Sequence, residues 1–271
     1  MDLFRKKRRP HIELKSPREL QKMRDAGKIV AQCHEIVREM AKPGVSGLEI
    51  DRAIRDFILK EGGTPLFYQY RVGKEIFPAN CCFSINEEVV HGIPSKRRLK
   101  EGDIVSVDVG VGYKGFVGDA AITVGVGKVS PTAQKVMDVC KKALELGIQQ
   151  MVPGNRLMDI AQTIQQYVEG EGFSVVRQFV GHGVGRSMHE DPQVPNFVDS
   201  SNRGELSLKL EPGLCLAIEP MVNEGTHKVK VLSDGWTVVT ADRKLSAHFE
   251  HSVAVTKDGP MILTLLDNTI T

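Results

Sequence analysis

Two stretches of this 271-residue chain repeat each other at an offset of 110 positions, and that repeat limits the folds open to it. Pro43-Gly44 corresponds to Pro153-Gly154, Leu48 to Met158, Glu49 to Asp159, Ile50 to Ile160, Ile54 to Ile164, Phe57 to Tyr167, Ile58 to Val168 and Glu61-Gly62 to Glu171-Gly172. In each copy the apolar residues recur at helical spacing and the run stops at glycine, as a helix C-terminus does. A preceding helix is expected over about 17–41 and about 131–151, each also ending near its Pro-Gly pair. Strand-like runs follow: 82–85, 103–111 and 116–126 in the first half, then 175–179, 214–222, 236–239 and 248–255 in the second. Helices then strands, twice, with hairpin-length loops rather than crossovers, predict an α+β domain. Its sheet should be mostly antiparallel, with helices on one face and pseudo-twofold symmetry relating the halves. The expected layout is a tail over 1–11 and one domain over 12–271, with halves at about 12–128 and 129–271.

Hydrophobic residues make up 41% of the chain, enough for a substantial core, and a net charge of +2 gives the body no field that would attract nucleic acid or membrane. The charge is concentrated at one place: Arg5, Lys6, Lys7, Arg8 and Arg9 precede Pro10, without the apolar stretch of a signal peptide or anchor. This run reads either as a disordered solvated tail or as a contact for RNA, for instance ribosomal RNA. A cytoplasmic monomer without membrane contact is expected. The five cysteines, Cys33, Cys81, Cys82, Cys140 and Cys215, form no CxxC pair and read as reduced, buried residues.

The chemistry is concentrated in Asp103–Val124, DIVSVDVGVGYKGFVGDAAITV. With Tyr113 and Lys114 at the tip of a symmetric hairpin, Asp108 would lie directly opposite Asp119, both on one face. Two carboxylates so placed within apolar strands repel unless a cation intervenes; surface carboxylates on an edge hairpin are the alternative. Three further segments favour the cation. His182 stands in the glycine-rich FVGHGVG, Glu219 ends the apolar LCLAIEP, and Glu250 sits in AHFEH. Acidic residues belong in such strands only when something pairs with them. Four carboxylates and one imidazole suffice to hold two divalent ions, and the oxygen-rich set suits Co, Mn, Fe or Zn without choosing among them.

VDVG at 107–110, GDAA at 118–121, GHGVG at 181–185, IEPM at 218–221 and HFEH at 248–251 resemble, in order, the motifs of type I methionine aminopeptidases. The resemblance covers about residues 12–266. It implies the pita-bread fold, whose two related halves agree with the repeat: a curved, mostly antiparallel sheet with helices on its outer face. It also implies that Asp108, Asp119, His182, Glu219 and Glu250 are metal ligands, Asp119 and Glu250 bridging two ions. His91 in NEEVVHGIP and His189 in SMHEDP would touch substrate. The implied activity is removal of the initiator methionine from nascent proteins when the second residue is small, by hydrolysis with a water or hydroxide held between two divalent ions. Glu219 is the expected proton shuttle, His189 polarises the scissile carbonyl and His91 meets the peptide nitrogen. By position, Tyr70, Phe77, Cys82, Met188 and Trp236 form the methionine pocket, although 67–78 (FYQYRVGKEIFP) departs from the family pattern and looks about two residues longer.

Two rivals share the fold: a proline-directed aminopeptidase or prolidase, which carries an additional N-terminal domain, and a metal-free binding module, which would have lost a ligand. The repeat begins within the first 20 residues, and all five ligand positions are filled. Because the basic run lies outside the repeat, deletion of Met1–Arg9 is expected to leave tripeptide turnover unchanged in a steady-state assay.

Overall fold

The computed structural model describes residues 11–266, so the basic run lies outside the described residues. Helices α1 (Pro17–Met40) and α2 (Gly47–Lys60) open the first half, and α3 (Pro131–Gln149) and α4 (Leu157–Gly170) open the second. The local reasons recur as well. Pro17 and Pro131 occupy the first helical turn, where a missing N–H removes no bond. At the starts of α2 and α4 the backbone N–H groups of Ser46 and Arg156 donate to the Glu49 and Asp159 carboxylates. Gly44 and Gly154 take nearly the same left-handed conformation, φ 92° and 95°, in the turns between paired helices. Even the isolated bridges correspond, Ser46 to Arg98 and Arg156 to Lys209.

Ile50, Ile54 and Ile58 of α2 are fully buried, as are Ile160, Ile164 and Val168 of α4; Leu48, though part of the repeat, is largely exposed. One apolar cluster lies under α1 and α2 and a second under α3 and α4. Phe249 packs against both. Every strand pairing among the described residues is antiparallel.

The central hairpin joins Ile104–Tyr113 to Phe116–Gly125 in a register that differs from the expected one. Its tip is Lys114-Gly115, both at positive φ (49° and 79°), because a two-residue turn matching the strand twist needs left-handed backbone at both positions. Asp108 therefore stands opposite Ala121, and Asp119 opposite Gly110. A shift of two residues preserves the side of the sheet, so both carboxyls still share one face as diagonal neighbours.

Two strands expected to be continuous are interrupted. The run 214–222 divides into Cys215–Ile218 and Met221–Asn223, and 248–255 into Ser246–His248 and His251–Thr256. Ile218 pairs with His251 and Met221 with His248, so the two gaps lie side by side. Pro220 in one gap has no N–H for a ladder. In the other, the Glu250 N–H donates to the Ala121 carbonyl at 2.9 Å, and the Ala121 N–H returns a bond at 3.3 Å. The runs at 175–179 and 236–239 contract to Ser174–Val175 and Val238–Thr240.

Helix α1 lies against the central hairpin where glycine meets glycine: a Cβ on Gly118 would sit 2.6 Å from the Gly27 nitrogen. Backbone cannot swing aside as a side chain can, so Gly118→Ala is expected to lower the free energy of unfolding by about 3 kcal/mol, read from urea denaturation.

Candidate metal centre

Each site residue is placed by one of these features. Asp108 and Asp119 come from the central hairpin, Glu219 and Glu250 from the paired gaps, and His182 from the short strand Gly181–Gly183. The glycines flanking His182 lie tight against neighbouring backbone: a Cβ on Gly181 would be 2.3 Å from the Ala217 carbonyl oxygen, and one on Gly183 would be 2.1 Å from that of Asp191. Only glycine lets this strand approach so closely. His182, paired with Ala217, is thereby carried to the carboxyls.

All five residues line one cavity of about 130 Å3, together with His91, His189, His248, Phe67, Val90, Phe179, Val180 and Met221. Asp119, His182 and Glu250 offer donor atoms within 4.8 Å of one another. His182 Nε2 lies 3.4 Å from Glu219 Oε1 and 3.9 Å from Asp119 Oδ2. These are not ion pairs in the protein alone. Burial, and then neighbouring His189, push the His182 imidazole down to about 3. Burial pushes Asp108 up to about 8, and burial with mutual repulsion raises Asp119, Glu219 and Glu250 far above the usual carboxylate range. Asp108 Oδ1, Asp119 Oδ1 and Glu250 Oε1 are buried without any hydrogen-bond partner. Acceptor atoms so placed fit a divalent cation and little else.

The surroundings prepare the donors. His182 Nδ1 lies 2.9 Å from the Gly183 carbonyl oxygen, so Nδ1 carries the proton and Nε2 presents its lone pair to the cavity. The His189 ring is 4.3 Å from that of His182, and its Nδ1 is 2.7 Å from the Tyr70 hydroxyl. His91 holds a left-handed backbone, φ 58°, and stands edge-on to Phe179 at 5.4 Å and Trp236 at 6.4 Å. A β-carbon in that conformation carries strain that its surroundings must hold in place.

The residues assigned to a methionine pocket are distributed differently from the ligands. Phe77, Cys82, Met188 and Trp236 are buried in one apolar cluster with Tyr70 packed against it, and none of the five lines the cavity itself. Phe67, absent from the sequence reading, is the member of that cluster that reaches the cavity; its ring is 5.9 Å from Phe77, which is 5.2 Å from Trp236. The unusual segment forms a small exposed hairpin, Arg71–Val72 with Glu75–Ile76, between buried Phe67 and Phe77. His248 was also missed: its Nε2 is buried, without a hydrogen bond, 3.7 Å from Glu219 Oε2. The signal was present in HFEH, where His248 and Glu250 alternate along one strand run and so face the same side.

The model of metallopeptidase family M24 matches residues 21–257. A methionine aminopeptidase of Clostridium perfringens is 51% identical over 255 residues, 94% of this chain and 99% of that protein. The crystal structure of a methionine aminopeptidase from Thermotoga maritima superposes with a TM-score of 0.88 at 43% identity, covering 94% of this chain and 100% of that one. A prolidase from Pyrococcus horikoshii, 19% identical with a TM-score of 0.74 over 95% of this chain and 65% of its own, shares the fold alone.

Fold and site together define a metallopeptidase with the pita-bread architecture. The chain belongs to metallopeptidase family M24, among the methionine aminopeptidases, and is a hydrolase.

A proton held by a carboxyl in the folded protein stabilises it below the unfolded pKa, and that stabilisation fades as pH rises through the folded value, about 8 for Asp108. A cation replaces those protons. Saturating Mn2+ at roughly a hundred times its Kd is therefore expected to raise the unfolding free energy by about 2.7 kcal/mol. Its affinity should tighten between about pH 6 and about pH 8, measured by calorimetry, and Glu250→Gln should largely abolish the response.

Proposed function

We propose that this enzyme removes the N-terminal methionine of newly made proteins whose second residue is small, using two divalent ions (Co, Mn, Fe or Zn) held by Asp108, Asp119, His182, Glu219 and Glu250. The convergence of these five residues with His91 and His189 on one cavity carries the reading. Such ions, when bound, supply a water activated at neutral pH and positive charge for the carbonyl oxygen. In this reading Asp119 and Glu250, the two most deeply buried carboxyls of the set, serve both ions.

The remaining steps belong to the chain. Glu219 takes the proton of the attacking water and passes it toward the leaving amine. His189 is neutral, with its pKa lowered by burial. If the Tyr70 hydroxyl donates to Nδ1, Nε2 carries the proton and can donate to the scissile carbonyl. His91, braced by Phe179 and Trp236, meets the peptide nitrogen. Phe67, Phe179 and Met221 provide the apolar wall for a methionine side chain, with Phe77, Cys82, Met188 and Trp236 supporting it from behind and Tyr70 at the rim.

Two histidines gripping the scissile peptide leave little space for the second side chain. Misplacement of the carbonyl by about 1 Å costs on the order of a hundredfold in rate. Met-Ala-Ser should therefore be cleaved much faster than Met-Arg-Ser, and acetyl-Met-Ala-Ser should be inert because its amine is no longer basic. Norleucine in place of methionine should remain a substrate, whereas each methylene's worth of contact removed should cost roughly 1–3 kcal/mol. Asp119→Ala should abolish turnover. A peptide panel on the Mn2+-loaded enzyme checks these expectations; preference for any residue followed by proline would point instead to a proline-directed peptidase.

A further inference from the structure

The loop between the strands Gly181–Gly183 and Glu190–Val194 carries Met188 and His189, and the first described residues of the chain secure it from outside the cavity. The Lys15 side chain is only 1% exposed. Its Nζ lies 3.0 Å from Glu190 Oε2 and 3.3 Å from Glu13 Oε2. The other oxygen of Glu190, Oε1, accepts from the backbone N–H groups of Arg186 at 2.7 Å and Ser187 at 3.0 Å. The lysine stem crosses the loop backbone closely: a Cβ on Gly185 would stand 2.3 Å from Lys15 Cε. The Gly185 carbonyl accepts from the Val117 N–H, tying the same loop to the central hairpin. Further backbone bonds hold the arm itself, from the Lys15 N–H to the Gly213 carbonyl at 2.7 Å and from the His11 N–H to Asp191 Oδ2 at 2.9 Å.

The arm thus grips the loop on both sides of His189, at 185–187 and at 190–191. None of the gripping residues lines the cavity. A buried ion pair contributes little net stability once the cost of removing its charges from water is counted, and its value lies in the geometry it selects. Here one carboxylate accepts from a buried cation and two amides at once, which leaves the turn 185–190 a single arrangement.

We propose that Lys15 is a positioning residue: its ammonium holds Glu190 on the Arg186 and Ser187 amides and so aims His189 at the substrate. This rests on the reading of His189 as a substrate contact. With the lysine gone, Glu190 keeps its two amides but loses its cation, and the loop gains arrangements in which His189 does not meet the carbonyl. Of the proposed metal ligands only His182 adjoins the loop, and there the pairing with Ala217 and the Gly183 carbonyl hold it independently of Lys15; the other four stand on other segments.

The test uses the full chain loaded with Mn2+ and the peptide Met-Ala-Ser, comparing the parent with Lys15→Met, His189→Ala and the double variant. Lys15→Met is expected to lower kcat and kcat/KM together by roughly tenfold to a hundredfold. Its Mn2+ affinity by calorimetry should match the parent, while the Arg186 and Ser187 amides exchange with deuterium faster. In the His189→Ala background the same substitution should cost less than about twofold. A folded Lys15→Met enzyme with parental kcat/KM, or an equal loss in both backgrounds, would overturn the proposal. Parental activity of His189→Ala would instead defeat the reading of that histidine, and the two amides would still report whether Lys15 holds the loop. Should Lys15→Met fail to fold, Glu190→Gln carries the same measurements, because it keeps the acceptor for the amides and removes the anion that the lysine grips.

Discussion

The structure depends on the line where its two halves meet. There the edge of the central hairpin, Asp119 to Thr123, lies against the segment His248 to Ser252. Hydrogen bonds run along the joint: Glu250 and Ala121 exchange backbone bonds, the Thr123 hydroxyl bonds both the N–H and the carbonyl of His248, and the Ser252 hydroxyl bonds both the N–H and the carbonyl of Asp119. Backbone left open where the strands divide is thus satisfied by the opposite half. Because the main chains of Asp119 and Glu250 both take part in the joint, their carboxyls are buried together on the one cavity. A cation at that place relieves the repulsion, so binding the metal and docking the halves favour the same geometry.

Around this joint, different residues position the groups by different means. Glycines 181 and 183 let the strand bearing His182 press against its neighbours, and the Gly183 carbonyl fixes which imidazole nitrogen faces the carboxyls. His91 is held by backbone strain and two aromatic edges, whereas His189 is held by a hydroxyl on one side and by a loop secured through Lys15 and Glu190 on the other. His91 thus stands on a segment of its own, whereas the loop of His189 adjoins the strand that carries His182.

The four long helices, the order of helices and strands, the two related halves and the five acidic and histidine residues that converge on the cavity were all legible in the sequence. Their signals are local or periodic: apolar spacing in α2 and α4, Pro-Gly turns, and acidic residues inside apolar runs. Side of the sheet was legible for Asp108 and Asp119 because alternation depends only on parity. Register was not, since the choice between a Tyr113-Lys114 tip and a Lys114-Gly115 tip is made by backbone twist. Continuous apolar runs at 214–222 and 248–255 concealed the paired gaps, because a gap is stable only when the opposite half supplies the missing hydrogen bonds. The packing of Phe67 ahead of Phe77 and Trp236, and the place of His248 beside Glu219, likewise depend on residues far apart in the chain.

The sequence by itself thus determined the inventory: which side chains carry the chemistry, on which elements, and in two halves of one plan. Only the tertiary structure decided their convergence. Acidic side chains in separate strands acquire meaning when the fold buries them side by side, and that burial is a property of the closed joint. The same holds for Lys15, an unremarkable lysine before a helix until the Gly185 turn and Glu190 enclose it.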